Sequence, residues 1–171
     1  MTHAFMTLLD AVALGPDPTE PQLAHFGQLL LRWLEVDGAL PAAVLGLPRA
    51  SGSQELLVPL HVVAGKPALY LVSDGAGVTS PPHGHGTWAV IAGLSGTERN
   101  IVYARDDAAG VLRPLRSVDV GAGEVLCLRT DAIHATVAAG NRPTFHLHLY
   151  GRPLDELPPF ASRCHAGVVA G

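Results

Sequence analysis

The stretch Pro81-Pro82-His83-Gly84-His85-Gly86-Thr87-Trp88 decides how this chain is read. Two residues apart on an extended strand, His83 and His85 point to the same face, with their Cα atoms roughly 6–7 Å apart. That separation lets two imidazoles share one metal ion. A third ligand has to come from elsewhere, and the donor on offer is His134, in Asp131-Ala132-Ile133-His134. The reading that follows is a small β-barrel holding a divalent transition metal by three imidazoles.

The chain on either side supports a barrel. From Leu56 onward, short β-like runs are broken by Gly, Pro, Asp and Asn, and the pattern predicts strands near 55–63, 67–73, 86–92, 98–104, 111–118, 124–128, 134–138 and 144–150. Turns such as Asp74-Gly75-Ala76-Gly77 and Gly140-Asn141-Arg142-Pro143 separate them. Many short strands with regular turn signals make an antiparallel sandwich or barrel. Ahead of them, residues 4–14 and about 20–35 have helical character, and a third short helix is expected from Leu40 to Leu45. In the second segment Pro21 suits a helix start, following Thr19 and Glu20, and Leu23, Phe26, Leu29, Leu30, Trp33 and Leu34 recur at three- and four-residue spacing. Such a stripe packs against the rest of a domain.

With 171 residues the chain suits one domain with a sizeable core. It is expected to divide into a helical preface over 1–50, a barrel over 55–152 and a tail over 153–171. Hydrophobic residues make up 48% and charged ones 15%, with 19 Gly and 14 Pro, which favours a compact chain rich in turns. A formal charge of −4, with Lys66 the only lysine, argues against nucleic acid or an anionic membrane as partner. The first residues lack a basic region followed by an apolar run, and no window reaches the ~20 apolar residues of a membrane span, so a cytoplasmic protein, monomeric or a small homo-oligomer, is expected. Cys127 and Cys164 are read as free thiols.

The last predicted strand holds a second group of candidates. In Phe145-His146-Leu147-His148-Leu149-Tyr150, alternation puts His146, His148 and Tyr150 on one face. Polar side chains entering a barrel need partners, since an unpaired buried polar group costs about 1–3 kcal/mol. A hydrogen-bond relay ending at the metal site supplies them.

Gly77, five residues, His83-x-His85 and then Gly96 resemble the first cupin signature, while Gly123 and His134 resemble the second. The resemblance implies a mainly β fold, the double-stranded β-helix or jelly-roll barrel, here with an N-terminal helical segment. The glutamate that usually follows the histidine pair is absent, its slot being Ala89 or Val90. Within the cupins, the run from Pro82 to Glu98, the Asp131-Ala132-Ile133-His134 segment and the ending His148-Leu149-Tyr150-Gly151 look like the cysteine dioxygenase-like thiol dioxygenases, in particular the bacterial 3-mercaptopropionate branch.

What that likeness implies is an Fe(II) centre on His83, His85 and His134, with His148 and Tyr150 beside a bound small thiol and O2, and oxidation of the thiol to a sulfinic acid. Three departures stand out. His146 replaces the family's usual Ser, and Val90 stands where animal enzymes have the cysteine of a thioether crosslink. The strand around Leu57-Val58-Pro59 lacks the arginine that binds the substrate carboxylate, leaving Arg163 as a downstream substitute. Trp88 and His61 are further candidates for the pocket wall. Three histidines also suit zinc, nickel or manganese in a hydrolase or isomerase, and a cupin can serve as a small-ligand sensor.

Overall fold

The computed structural model describes residues 14–37 and 46–169, with side chains omitted from 33 to 37. The expected helices over 4–14 and from Leu40 to Leu45 lie outside the described residues, as do the side chains of Trp33 and Leu34. What is described is a helix α1 (Glu20–Asp37) followed by β1 (Glu55–His61), β2 (Ala68–Asp74), β3 (His83–Gly84), β4 (Ala89–Ser95), β5 (Thr97–Asp106), β6 (Val111–Val120), β7 (Val125–Leu128), β8 (Ile133–Ala139) and β9 (Phe145–Tyr150). A 3-10 turn (Leu154–Glu156) and a short helix α2 (Phe160–Arg163) follow.

The strands form two antiparallel sheets, one ordered β1-β2-β9-β4-β7 and the other β3-β8-β5-β6. This is the expected mainly β cupin fold, a double-stranded β-helix closed around an interior. Each predicted strand has its counterpart within a few residues. The structure adds β3, a two-residue strand that no periodicity could signal and that carries His83.

Helix α1 begins as its sequence implies. Gln22 reaches back to accept from both the backbone N–H and the hydroxyl of Thr19, each at 2.9 Å, and Leu23 N–H donates to the Thr19 carbonyl as the first helical bond. Its apolar stripe, Leu23, Phe26 and Leu30, is buried against the outer face of the five-stranded sheet, on Leu69, Leu71, Trp88, Val90, Leu147 and Leu149. Each such side chain removed from water contributes about 1.5–3 kcal/mol. The opposite face of the same sheet, through Tyr70, Ile91 and Tyr150, packs inside the barrel on Val102, Val120, Leu126 and Leu128. With both faces covered, β2 and β9 are buried along their whole length.

Gly96, at the β4–β5 turn, has φ of +70° and lies so close to the β8–β9 loop that a Cβ would stand 2.7 Å from the Pro143 carbonyl oxygen. Only glycine meets both demands. The tight approach draws the β4–β5 hairpin onto the start of β9.

The C-terminal segment returns to the barrel. His165 N–H donates to the Pro82 carbonyl at 2.8 Å, Cys164 pairs with His83, and Val169 N–H donates to Leu112 at 3.0 Å. Residues 154–163 are thereby laid across one end of the barrel.

Candidate metal centre

His83 and His134 are register partners across β3 and β8, so the backbone ladder itself brings two candidate ligands face to face. Their ring centroids are 4.6 Å apart, and His85 completes the group at 5.3 Å from His83 and 4.8 Å from His134. Among the described residues these three form the one group of three or more His, Cys, Asp or Glu whose ligand atoms all lie within 4.8 Å of one another. All three side chains are buried.

Hydrogen bonds select which ring nitrogen faces inward. Nδ1 of His83 donates to the Pro81 carbonyl at 2.9 Å, and Nδ1 of His134 donates to Oδ1 of Asn100 at 2.8 Å. In both rings the proton is on Nδ1 and the lone pair on Nε2. His134 Nε2 faces His85 Nε2 at 3.1 Å, so their lone pairs converge unless a proton or a metal lies between them. Burial, reinforced at His85 and His134 by neighbouring imidazoles, holds all three below the ordinary histidine value, His134 down to about 3. Neutral imidazoles whose ring nitrogens converge in this way are what a divalent transition metal requires, so the residues fit the group.

The same interior holds the relay on β9. His146, His148 and Tyr150 share a face as alternation implied, and their neighbours Phe145, Leu147 and Leu149 pack on the other side. Tyr150 and Nδ1 of His148 are hydrogen-bonded at 2.9 Å. With the hydroxyl donating, the ring proton of His148 is on Nε2, which lies 3.8 Å from Oε2 of Glu98. The Tyr150 ring also packs 5.0 Å from that of His85, and burial pushes its hydroxyl well above the usual tyrosine value. His146 is completely buried and donates from Nε2 to the Val120 carbonyl at 2.9 Å. It belongs neither to the metal group nor to the cavity wall.

Glu98 and Asn100 are not singled out by the sequence motifs. Spacing from the histidines places a carboxylate at Ala89 or Val90, where there is none. The acid comes instead from β5, where alternation turns Glu98 and Asn100 inward while Arg99 pairs with Asp119 outside. Asn100 Nδ2 donates to Glu98 Oε1 at 3.0 Å, linking the carboxylate through the amide to His134. Glu98 is 1% exposed, and burial pushes its carboxyl up to about 7. The signal was available in Thr97-Glu98-Arg99-Asn100, two polar side chains of the same parity on a predicted strand.

A cavity of about 350 Å³ opens onto these groups. His83, His85, His134, His148, Tyr150 and Glu98 form its floor, while Leu154, Pro158, Pro159, Phe160 and Arg163 wall it from the C-terminal side. Arg163 therefore does reach the cavity, with its Nε donating to the Pro158 carbonyl at 2.8 Å and its Nη1 to that of Gly84 at 3.0 Å. Trp88 and His61 are not among the lining residues. Trp88 has the opposite parity to the inward Ala89 and Ile91, and sits 6.4 Å from Phe26 under α1. His61 is buried at the far end of β1, beyond an irregularity in its pairing with β2.

No protein-family model matches the chain, and no curated protein matches it in sequence. Solved structures do resemble its fold. The cupin domain of Schizosaccharomyces pombe Cnp3 is 12% identical over 66% of this chain and 74% of its own, with a TM-score of 0.51. A cupin 2 conserved barrel domain protein from Leptotrichia buccalis is 18% identical over 65% of this chain and 46% of its own, with a TM-score of 0.50. An oxalate oxidase in complex with the substrate analogue glycolate is 18% identical over 63% of this chain and 59% of its own, with a TM-score of 0.49. At these identities what is shared is the cupin fold.

Proposed function

We propose that this cupin is a non-haem Fe(II) thiol dioxygenase, converting a small thiol and O2 to a sulfinic acid. The observation that supports this most is the hydrogen-bonded His148–Tyr150 pair standing beside an imidazole triad that includes no carboxylate ligand. His83, His85 and His134 would hold the metal, which when bound supplies the site where a thiolate and oxygen meet; with no anionic protein ligand, the thiolate itself compensates the metal's charge.

The remaining work belongs to the chain. Pro81 and Asn100 fix the tautomers of His83 and His134, so that both lone pairs aim inward. Glu98, with its carboxyl near 7, can take up the proton that a thiol sheds. Tyr150 holds a hydroxyl proton at the cavity floor, anchored by His148, and orients the reacting groups. Leu154, Pro158 and Phe160 give the approach an apolar wall. The reaction balances without a co-reactant: the thiol sulfur is oxidised as both atoms of O2 become bonded to it.

The test is oxygen consumption by protein loaded anaerobically with Fe(II), against cysteine, 3-mercaptopropionate, cysteamine and an uncharged thiol, with mass detection of a product heavier by two oxygen atoms. Turnover with any of them is expected. No oxygen uptake with iron demonstrably bound overturns the reading. Glu98 gives weight to a second one, since a buried carboxyl titrating near 7 also suits a zinc, nickel or manganese isomerase or hydrolase. Metal analysis of protein purified without added metal separates the two.

A further inference from the structure

The cavity carries a charge pattern that an imidazole triad does not need. On β1 and β2, Glu55 stands directly opposite Asp74, and both side chains line the same cavity as Glu98 and the three histidines. Like charges opposite one another on an antiparallel pair destabilise it. Glu55 is exposed at the mouth; Asp74, behind it, is 5% exposed, and its Oδ1 has no hydrogen-bond partner. A water could satisfy that oxygen, but it would leave the paired charge unanswered.

Among the described residues that line the cavity, nothing answers it either. Arg163 is the only arginine or lysine among the described residues lining the cavity, and its Nε and Nη1 are committed to backbone carbonyls on the opposite wall. Burial and Glu55 together push Asp74 up to about 6, and beyond burial and the Asn100 hydrogen bond the groups acting on Glu98 are Asp74 and Glu55 themselves. Glu55, Asp74 and Glu98 do not form a group of three convergent ligands as the imidazoles do, so the pattern is not that of a second three-ligand metal site.

The geometry points to Asp74 and Glu55 as the docking site for a cationic end of the substrate, a primary ammonium, held near the mouth while the other end of the molecule reaches His83, His85 and His134. This rests on the triad as the reacting end of the cavity. It reverses the charge preference expected from a substrate-carboxylate arginine: the ligand is an amine-bearing small molecule, and a carboxylate in its place meets two acids.

Two binding measurements test this separately from the chemistry. In the first, protein loaded with redox-silent Zn(II) is titrated calorimetrically and without oxygen with cysteamine, ethanethiol and 3-mercaptopropionate. Cysteamine is expected to bind at least ten-fold more tightly than ethanethiol, and 3-mercaptopropionate less tightly than either. Asp74→Asn is expected to reduce the cysteamine preference at least five-fold without changing ethanethiol affinity, and the exposed Glu55→Gln to reduce it in the same direction. Equal affinities, a preference for 3-mercaptopropionate, or a cysteamine preference untouched in both variants overturns the inference.

In the second, butylammonium and butyrate are titrated into metal-free protein. If butylammonium binds more tightly and Asp74→Asn abolishes the difference, the ammonium site stands even where no thiol binds and the dioxygenase reading has failed. If butylammonium binds no better than butyrate, the site falls, whatever the thiols do.

Discussion

Asn100 accepts the Nδ1 proton of His134 at 2.8 Å, and both side chains are shut off from water. A ligand imidazole held this way presents one nitrogen to the metal and cannot rotate to the other. Replacing Asn100 with Ala is expected to weaken metal binding about 10- to 100-fold, as loss of such an outer partner does. Competition against a chromogenic chelator measures it. His134→Ala is expected to abolish metal binding in the same assay.

Glu98 and His134 pull stability in opposite directions with pH. Folding raises Glu98 from 4.5 to about 7, so the folded state holds the extra proton; its contribution is full below 4.5 and lost as pH rises through 7. Folding lowers His134 from 6.5 to about 3, and its contribution is present above 6.5 and lost as pH falls through 3. Glu98→Gln keeps an acceptor for Asn100 and removes only the first effect. Between pH 4.5 and 7, denaturant titration of metal-free protein is expected to shift in the variant's favour by up to about 3 kcal/mol relative to wild type.

Tyr150→Phe leaves Nδ1 of His148 without its partner. A cost of about 1–2 kcal/mol in stability is expected. If the protein is a thiol dioxygenase, turnover falls on the order of 10²-fold, the scale of a lost proton-handling group. Metal affinity, read by the same chelator assay, stays within about two-fold because Tyr150 lies outside the ligand group.

Gly96→Ala places a Cβ against the Pro143 carbonyl on a backbone with φ of +70°. A destabilisation of about 1–3 kcal/mol is expected, lowering the melting temperature by several degrees. Thermal unfolding checks it, and an unchanged midpoint would mean that the β8–β9 loop gives way freely.

Much of this architecture could be read before the structure. Alternation and turn residues located the strands, and the His83-x-His85 spacing with a later His134 pointed to the three imidazoles that the structure brings together, because side-chain parity on a strand is a rigid rule. Parity without knowledge of the buried face has limits, however. On β4 both faces are covered, so nothing in Trp88-Ala89-Val90-Ile91 says which side meets the cavity, and Trp88 turned out to face α1. Spacing from the histidines does not point to Glu98, because the fold delivers it from the next strand. The wall made by Pro158, Pro159 and Phe160 has no periodicity to betray it; its position depends on where the chain turns after Gly151.

The pairing of His83 with His134 has a consequence for how the protein assembles. His85 and His134 are 49 residues apart in sequence, so the triad exists only where β3 and β8 have come together. Closing a loop of that length carries an entropic cost that local contacts do not incur. An unfolded chain therefore has no triad to offer, and, if the triad holds a metal, its uptake during refolding would report the moment the barrel closes.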